Sequence, residues 1–294
     1  MSTKPPLTIE QISKAARRLS QRRPAYTALL AFYENLFTAQ EAAKSDLDPE
    51  PIQLSPEQLE SRRREGQPLI GVSDFRFDSE AGARLLNELC VQITRHGTQM
   101  KASAAAVSEA LTQGVLQAQD LFENLLKGAD HYFQATADAI GADQNALAFL
   151  AYHSIQPSIE LCATQLAHYL DTEAIWRKGH CPVCGSAPGL AVLGKEGRRV
   201  LSCSFCRHQW RAPRIFCAFC ENTKTDELRY FFAEEEKDLR VDVCDRCRKY
   251  LKSVDDREAS RPVFPPLEQV ASLHLDMLAA EKGFTGGVHL PLEN

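Results

Sequence analysis

No apolar run in this 294-residue sequence approaches the roughly 20 residues needed to span a bilayer. A membrane-spanning helix is therefore not expected. Positive charge is not in excess either: the formal net charge is −5 with a pI near 5.9, which gives the whole chain no pull towards nucleic acid or an anionic membrane. The chain begins Met1-Ser-Thr-Lys-Pro-Pro with no apolar stretch ahead of a small-residue cleavage site, so a cytoplasmic location with reduced thiols is expected. Catalytic signatures are missing as well. There is no Gly-x-Ser-x-Gly elbow, no phosphate-binding glycine loop and no His-Glu-x-x-His. The expectation is a protein that binds rather than one that catalyses.

Cysteine is what the sequence has in plenty. Eight of its ten cysteines form four Cys-x-x-Cys pairs, Cys181/Cys184, Cys203/Cys206, Cys217/Cys220 and Cys244/Cys247. Two thiolates three residues apart on a tight turn can face one ion, so each pair is half of a tetrahedral site. The separations say which halves belong together. Eighteen residues lie between Cys184 and Cys203, ten between Cys206 and Cys217, and twenty-three between Cys220 and Cys244; only the first and last intervals hold a full hairpin. In the first, Leu190 and Val192 alternate, Gly194 to Gly197 turns, and Val200 and Leu201 return. In the second, Leu228 to Phe232 lead out, Glu234 to Asp238 turn, and Leu239, Val241 and Val243 return.

An aromatic residue follows each second pair, Trp210 and Tyr250, so the segment reads as two copies of one zinc-ribbon or rubredoxin-like unit. A cross-braced pairing, with the first and third pairs sharing an ion, remains the alternative. Either way two metal ions are expected, each enclosed by four thiolates with no open position for substrate. Disulfides do not suit a reduced compartment, and the closely spaced run ending in Cys-Pro typical of a cubane cluster is missing.

Before about residue 175 the pattern is helical. Tyr26, Leu29, Leu30, Tyr33, Leu36 and Phe37 share one face after Pro24, and Ser55-Pro56 caps another helix. The segment 64–78 reads as a loop. Further helices are predicted from Ser79 to near Gly97, then over 102–113, 115–127, 130–140 and 145–154. Pro157 is expected to interrupt the pattern before a helix carrying Ile159, Cys162, Leu166 and Tyr169. A last helix should run from Pro265 to just before Gly283. The expected architecture is an N-terminal α-helical bundle (1–175), two tandem four-cysteine ribbons (176–214 and 215–258), and a C-terminal helix and tail (259–294).

The remaining features admit plain readings. Cys90 and Cys162 fall on apolar helix faces and should be core residues. His180 and His208 adjoin the pairs but are not needed as ligands. The basic residues Lys195, Arg198, Arg199, Arg207, Arg211 and Arg214 either offset the charge of a thiolate-bound ion or form a docking surface.

The motif run resembles a known family. Cys181-Pro-Val-Cys-Gly-Ser-Ala-Pro188, Leu201-Ser-Cys-Ser-Phe-Cys-Arg-His-Gln-Trp210, Ile215-Phe-Cys-Ala-Phe-Cys220, Cys244-Asp-Arg-Cys-Arg-Lys-Tyr-Leu-Lys252 and the tail from Leu267 to Met277 with Glu281 to Phe284 are similar to the formate dehydrogenase accessory proteins of the FdhE family. That resemblance implies a cytoplasmic, non-enzymatic maturation factor acting on the catalytic subunit of an exported respiratory formate dehydrogenase, which carries molybdenum or tungsten. It also implies iron held in a rubredoxin-like manner. The glycine of rubredoxin knuckles after the second cysteine is present only as Gly185; Arg207, Glu221 and Arg248 stand elsewhere, which leaves iron and zinc as alternatives. Two rival readings stand beside this one. One is a zinc-ribbon nucleic-acid binder stacking bases on Trp210 or Phe205, although no nucleic-acid partner is expected from the charge balance. The other is a thiol or iron redox protein. Self-association is left open.

Overall fold

A computed structural model describes residues 7–47, 49–96, 99–233, 236–259 and 261–287. These fall into two compact units. One consists of the described parts of Ala39–Gln53 and Gly71–Gln165; the other gathers Leu54–Ile70 with the described parts of Met1–Thr38 and Leu166–Val288.

The first unit is helical. It holds α4 (Ser79–His96), α5 (Lys101–Thr112), α6 (Ala118–Leu126), α7 (Asp130–Ile140) and nearly all of α8 (Gln144–Leu166). Leu85, Leu86, Leu89 and Ile93 recur at helical spacing on α4 and are buried, as are Leu121, Phe122 and Leu125 on α6. The predicted end of α4 near Gly97 lies outside the described residues. Cys90 and Cys162 are both buried here; burial pushes the Cys90 thiol up to about 12, and the Cys162 thiol donates to the Arg76 carbonyl at 3.3 Å. The expected interruption at Pro157 is corrected by the structure: α8 runs through it unbroken. Proline leaves the carbonyl four residues earlier without its helical amide, and that carbonyl, His153 O, instead accepts from the buried Gln40 Nε2 at 2.7 Å.

The other unit is a sheet flanked by helices. α1 (Ile9–Arg22) buries Ile12, Ala15, Ala16 and Leu19. α2 (Thr27–Ala43) begins after Pro24 and belongs to this unit as far as Thr38. α3 (Pro56–Glu65) starts at the expected Ser55 cap, whose hydroxyl accepts from Gln58 N at 3.3 Å. Each ribbon contributes three strands: β1 (Pro188–Leu193), β2 (Arg199–Cys203) and β3 (Gln209–Ala212), then β4 (Leu228–Phe231), β5 (Leu239–Cys244) and β6 (Lys249–Asp255). Both predicted hairpins form, β1 with β2 and β4 with β5. Two residues of the predicted second turn, Glu234 and Glu235, lie outside the described residues.

The two ribbons are joined in one sheet of order β3-β2-β1-β6-β5-β4. The seam is parallel, with Ala191 opposite Ser253 and Val192 opposite Val254. Leu190, Leu239, Val241, Val243 and Val254 form one apolar face, closed by Leu275, Ala279 and Phe284. The single C-terminal helix expected from Pro265 is divided into α9 (Pro265–Ala271) and α10 (Leu273–Glu281). Ser272 lies at the break, its hydroxyl donating to Glu268 O at 2.6 Å. A two-residue β7 (Thr285–Gly286) then joins the start of β6 in parallel.

Candidate metal centres

The eight motif cysteines converge as two groups of four. Cys181, Cys184, Cys203 and Cys206 make one, Cys217, Cys220, Cys244 and Cys247 the other, with the sulfurs of each group within 4.8 Å of one another. Sequential pairs share a site, so the cross-braced alternative is set aside. Each group clamps the two ends of one hairpin.

The sulfur positions suit a bound ion. Cys184 lies 3.5 Å from both Cys203 and Cys206, and Cys181 is 3.7 Å from Cys206. In the second group Cys217 lies 3.6 Å from Cys247 and Cys220 3.7 Å from Cys244. Sulfurs at the corners of a tetrahedron, each about 2.3 Å from a central ion, are about 3.8 Å apart. Each group could hold one metal ion, with zinc and iron both within reach of four thiolates.

The turns that carry the sulfurs share one backbone design. Gly185, Glu221 and Arg248, each directly after a second cysteine, donate their N–H to the first cysteine's carbonyl at 2.9 Å. Around Cys203, the amides of Phe205 and Cys206 donate to its sulfur at 3.4 Å. Every residue after a second cysteine is left-handed: Gly185 at φ 80°, Arg207 at 59°, Glu221 at 58° and Arg248 at 58°. An L-residue there costs about 1 kcal/mol, and in this chain each such side chain has a contact that offsets the cost. Arg207 stacks over Phe37 at 5.1 Å and Phe264 at 5.8 Å. Glu221 accepts from Gly179 N at 3.1 Å. Arg248 lies 4.0 Å over Phe284 and donates to the carbonyls of Lys282 and Gly283 at 3.1 Å.

The first turn is braced further by the segment after α3. Leu69 N and Ile70 N donate to Pro182 O and Val183 O, both at 2.9 Å. The first and third turns also approach closely: a Cβ on Gly179 would sit 2.3 Å from Ala218 O, so no larger residue fits there.

Burial and charge separate the two groups. All four sulfur-bearing residues of the first are buried, whereas Cys220 and Cys247 of the second are half-buried. Hydrogen bonds from Cys181, Cys203 and Cys206 hold Cys184 as a thiolate, far below the ordinary thiol range. Burial, together with those donated bonds, pushes Cys181 and Cys206 well above it. In the second group burial raises Cys217. At Cys244 burial is outweighed by bonds from the Cys247 amide, the Asn222 side chain and the Arg246 amide, which bring it to about 7. One sulfur of each group thus favours the thiolate while buried neighbours resist a second charge, an imbalance that a cation would relieve.

Neither nearby histidine belongs to a cysteine group. His208 stacks on Trp210 at 6.5 Å, and burial lowers it to about 4; the His180 ring meets Gly66 O at 3.2 Å. The basic cluster of the first ribbon divides. Arg211 donates to Glu173 O at 2.6 Å, Arg207 turns to its two aromatic rings, and Arg199 reaches across to Phe216 O at 2.7 Å, beside Cys217. Trp210 and Phe205 are each only 4% exposed, so neither offers a face to a base. Sequence reasoning did not find Asn222, a buried residue whose amide donates to the Cys244 sulfur at 3.7 Å and to Glu227 at 2.8 Å. Its only signal is its place directly after Glu221.

Comparison with known proteins bears on this arrangement. The family model "FdhE, central domain" matches residues 180–214 and "FdhE, C-terminal domain" residues 215–292, which together contain all eight clustered cysteines. An FdhE homolog of Aquifex aeolicus is 28% identical over 271 residues, covering 90% of this chain and 88% of that protein. The chain is similar to the FdhE family across both cysteine-bearing domains. Other FdhE homologs match over shorter spans. That of Pseudomonas aeruginosa is 40% identical over 114 residues, or 35% of this chain and 36% of that protein. That of Haemophilus ducreyi is 34% identical over 163 residues, half the length of that protein. The crystal structure of the FdhE protein from Pseudomonas aeruginosa superposes with a TM-score of 0.64 over 98% of this chain and 97% of that one. At 24% identity that likeness speaks for the fold: a helical region followed by a sheet region bearing two four-cysteine groups.

Proposed function

We propose that this protein is a cytoplasmic accessory factor in the maturation of an exported, molybdenum- or tungsten-dependent formate dehydrogenase, and that it acts by binding the catalytic subunit. The observation that carries the reading is the pair of cysteine groups inside the matched FdhE domains. Each has four ligands and no free corner, the pattern of a structural or electron-holding ion and not of a hydrolytic one. Such ions contribute folding energy and fix the surfaces around them. Cys181, Cys184, Cys203 and Cys206 would hold one ion, and Cys217, Cys220, Cys244 and Cys247 the other, as iron or zinc. The role is non-enzymatic: the ions hold the ribbons in the shape that meets the partner. Among the described residues no helix is long and apolar enough to cross a membrane.

Co-purification with a formate dehydrogenase catalytic subunit, before and after metal removal, tests this. Capture by the metal-loaded protein and loss of capture after chelation is the expected result. Capture that persists unchanged in metal-free protein would overturn the role given to the cysteine groups, and no capture in either state would overturn the choice of partner.

A further inference from the structure

The second ribbon has one face in the apolar core and one that carries charge. Val241 and Val243 point into the apolar layer under α10. By strand alternation Arg240 and Asp242 point the other way, and Tyr230, paired with Asp242 across the ladder, joins them. On that side lies a cleft of about 400 Å³, lined by Arg199, Arg214, Phe219, Tyr230, Arg240 and Lys249 among others. Its charge runs against that of the whole chain. Five cationic side chains line it, Arg229 being the fifth, against the single carboxylate of Asp242. Asp245 pairs with Arg229, which leaves an excess of three positive charges. Arg199 is only 4% exposed in its side chain, and its Nε has no hydrogen-bond partner among the described residues. Apolar groups stand beside the charges, with Ile215, Tyr230 and Phe232 each more than half exposed.

The same cleft borders a free strand edge. At the far end of the sheet, β3 is bridged in parallel by Ile175, and Trp176 N donates to Arg211 O at 2.9 Å. β1, the first strand of its ribbon, has its outer edge covered in parallel by β6. β4 holds the corresponding place in the second ribbon and pairs only with β5 among the described residues. Asp245 N donates to Glu227 O at 2.9 Å. The antiparallel alternation from that pair directs the N–H and C=O of Leu228 and Tyr230 away from β5. An exposed edge of this kind is a template for strand addition, with backbone bonds giving affinity and flanking side chains giving selectivity.

We propose that the β4 edge and the basic cleft beside it are a docking site for an extended acidic segment of a partner protein. The segment adds to β4 as a parallel strand, as β6 adds to β1, and sets its carboxylates against Arg214, Arg240 and Lys249. This assignment goes beyond the assembly role and does not depend on which enzyme is the partner.

Fluorescence anisotropy on the metal-loaded full chain tests it with a short labelled peptide alternating glutamate with valine. Binding is expected, weakening as salt is added. It should fall by at least about tenfold in an Arg214→Glu/Lys249→Glu protein, and by a similar factor when alternate peptide amides are N-methylated, which removes strand hydrogen bonds and keeps the charge. Tyr230→Pro should act likewise, because it deletes an outward N–H and spares the β4–β5 ladder. The lysine counterpart of the peptide should not bind. The proposal is overturned if the glutamate peptide fails to bind or if the charge-reversed protein binds it unchanged. It is also overturned if the N-methylated peptide binds as well as its parent, or if inorganic phosphate displaces the peptide at equal concentration. Sedimentation showing a dimer that Tyr230→Pro dissolves would make the occupant a second copy of this chain. A protein that captures the catalytic subunit yet fails every peptide arm keeps the assembly role and loses this site.

Discussion

Gln40 Nε2 donates to the carbonyl of His153 at 2.7 Å, and that carbonyl is the one Pro157 leaves without a helical amide. The same nitrogen lies 3.1 Å from His153 Nδ1. Gln40 is fully buried, so water cannot take its place, and a buried acceptor left unsatisfied costs about 1–3 kcal/mol. Gln40→Leu should therefore destabilise the protein by about that amount, read by chemical denaturation. Pro157→Ala returns an amide to position 157. In the double variant most of the Gln40→Leu loss should be recovered, a coupling that a double-mutant cycle measures directly. Additive effects would mean that Gln40 acts through packing alone.

That pair also marks the limit of what local sequence could reveal. Pro157 reads as a break by every local rule, and only a glutamine more than a hundred residues earlier makes the helix continuous. The cysteine groups were legible because their spacing carries the chemistry, and the hairpins because Leu239, Val241 and Val243 alternate. β6 was not legible. Its alternation is broken by Lys252, which is buried because its ammonium meets Asp276 at 2.7 Å and Gln269 O at 2.9 Å. The parallel seam joins residues some sixty positions apart and leaves no local trace. The left-handed arginines are a middle case: their place after a second cysteine, where rubredoxin knuckles have glycine, was legible, but the rings that receive them lie far off in the sequence.

Those arginines give the next prediction. Arg248→Gly removes a left-handed cost of about 1 kcal/mol but loses the Phe284 stack and two bonds to carbonyls, which together outweigh it. Arg248→Ala loses the same contacts and keeps the cost. Denaturation midpoints should rank wild type above the glycine variant and the glycine variant above the alanine variant, the last two about 1 kcal/mol apart. If alanine matched glycine, the turn would be relaxing out of its left-handed state.

Arg261 supplies a pH signature. It is 3% exposed and holds Asp238 at 2.6 Å and Glu268 at 2.9 and 2.6 Å, both carboxylates being almost fully buried. In the wild type, burial would raise Asp238, but Arg22 and Arg261 draw it below the usual carboxylate range. Its contribution is thus present above its unfolded pKa and lost as pH falls through the lower folded value. Glu268 has the opposite sign, being raised mainly by burial despite Arg261. Arg261→Met leaves both carboxylates buried without that cation, a change of about 3–5 kcal/mol. Both folded pKa values should then rise, so the variant's deficit should be greatest near neutral pH and shrink towards the usual carboxylate range. Denaturation across pH checks this; a deficit independent of pH would mean that the lost interaction is one of packing.

The seam between the ribbons leads to a prediction about metal retention. Cys220 and Cys247 are half-buried whereas the first group is wholly buried, so a chelator should empty the second site first in the wild type. Serine at Cys181 and Cys184 removes two of four ligands from the first site, and bound metal should fall from two ions per chain to one. A four-thiolate ion supplies on the order of 10–16 kcal/mol of apparent binding free energy at neutral pH, so the first ribbon should unfold without it. Helical circular dichroism from Gly71–Gln165 should survive, since that unit has its own apolar core. The loss should not stop at the first ribbon. β1 covers the outer edge of β6 over Ser253, Val254 and Asp255, and without it β6 is left with β5 and the two residues of β7. β6 leads directly out of the Cys244/Cys247 turn, so a frayed β6 loosens two ligands of the remaining ion. The double variant should release that ion to a chelator at least about tenfold faster than the wild type empties the same site, equivalent to about 1.4 kcal/mol of lost protection. An unchanged release rate would show that each ribbon keeps its own metal and that the parallel seam transmits nothing between them.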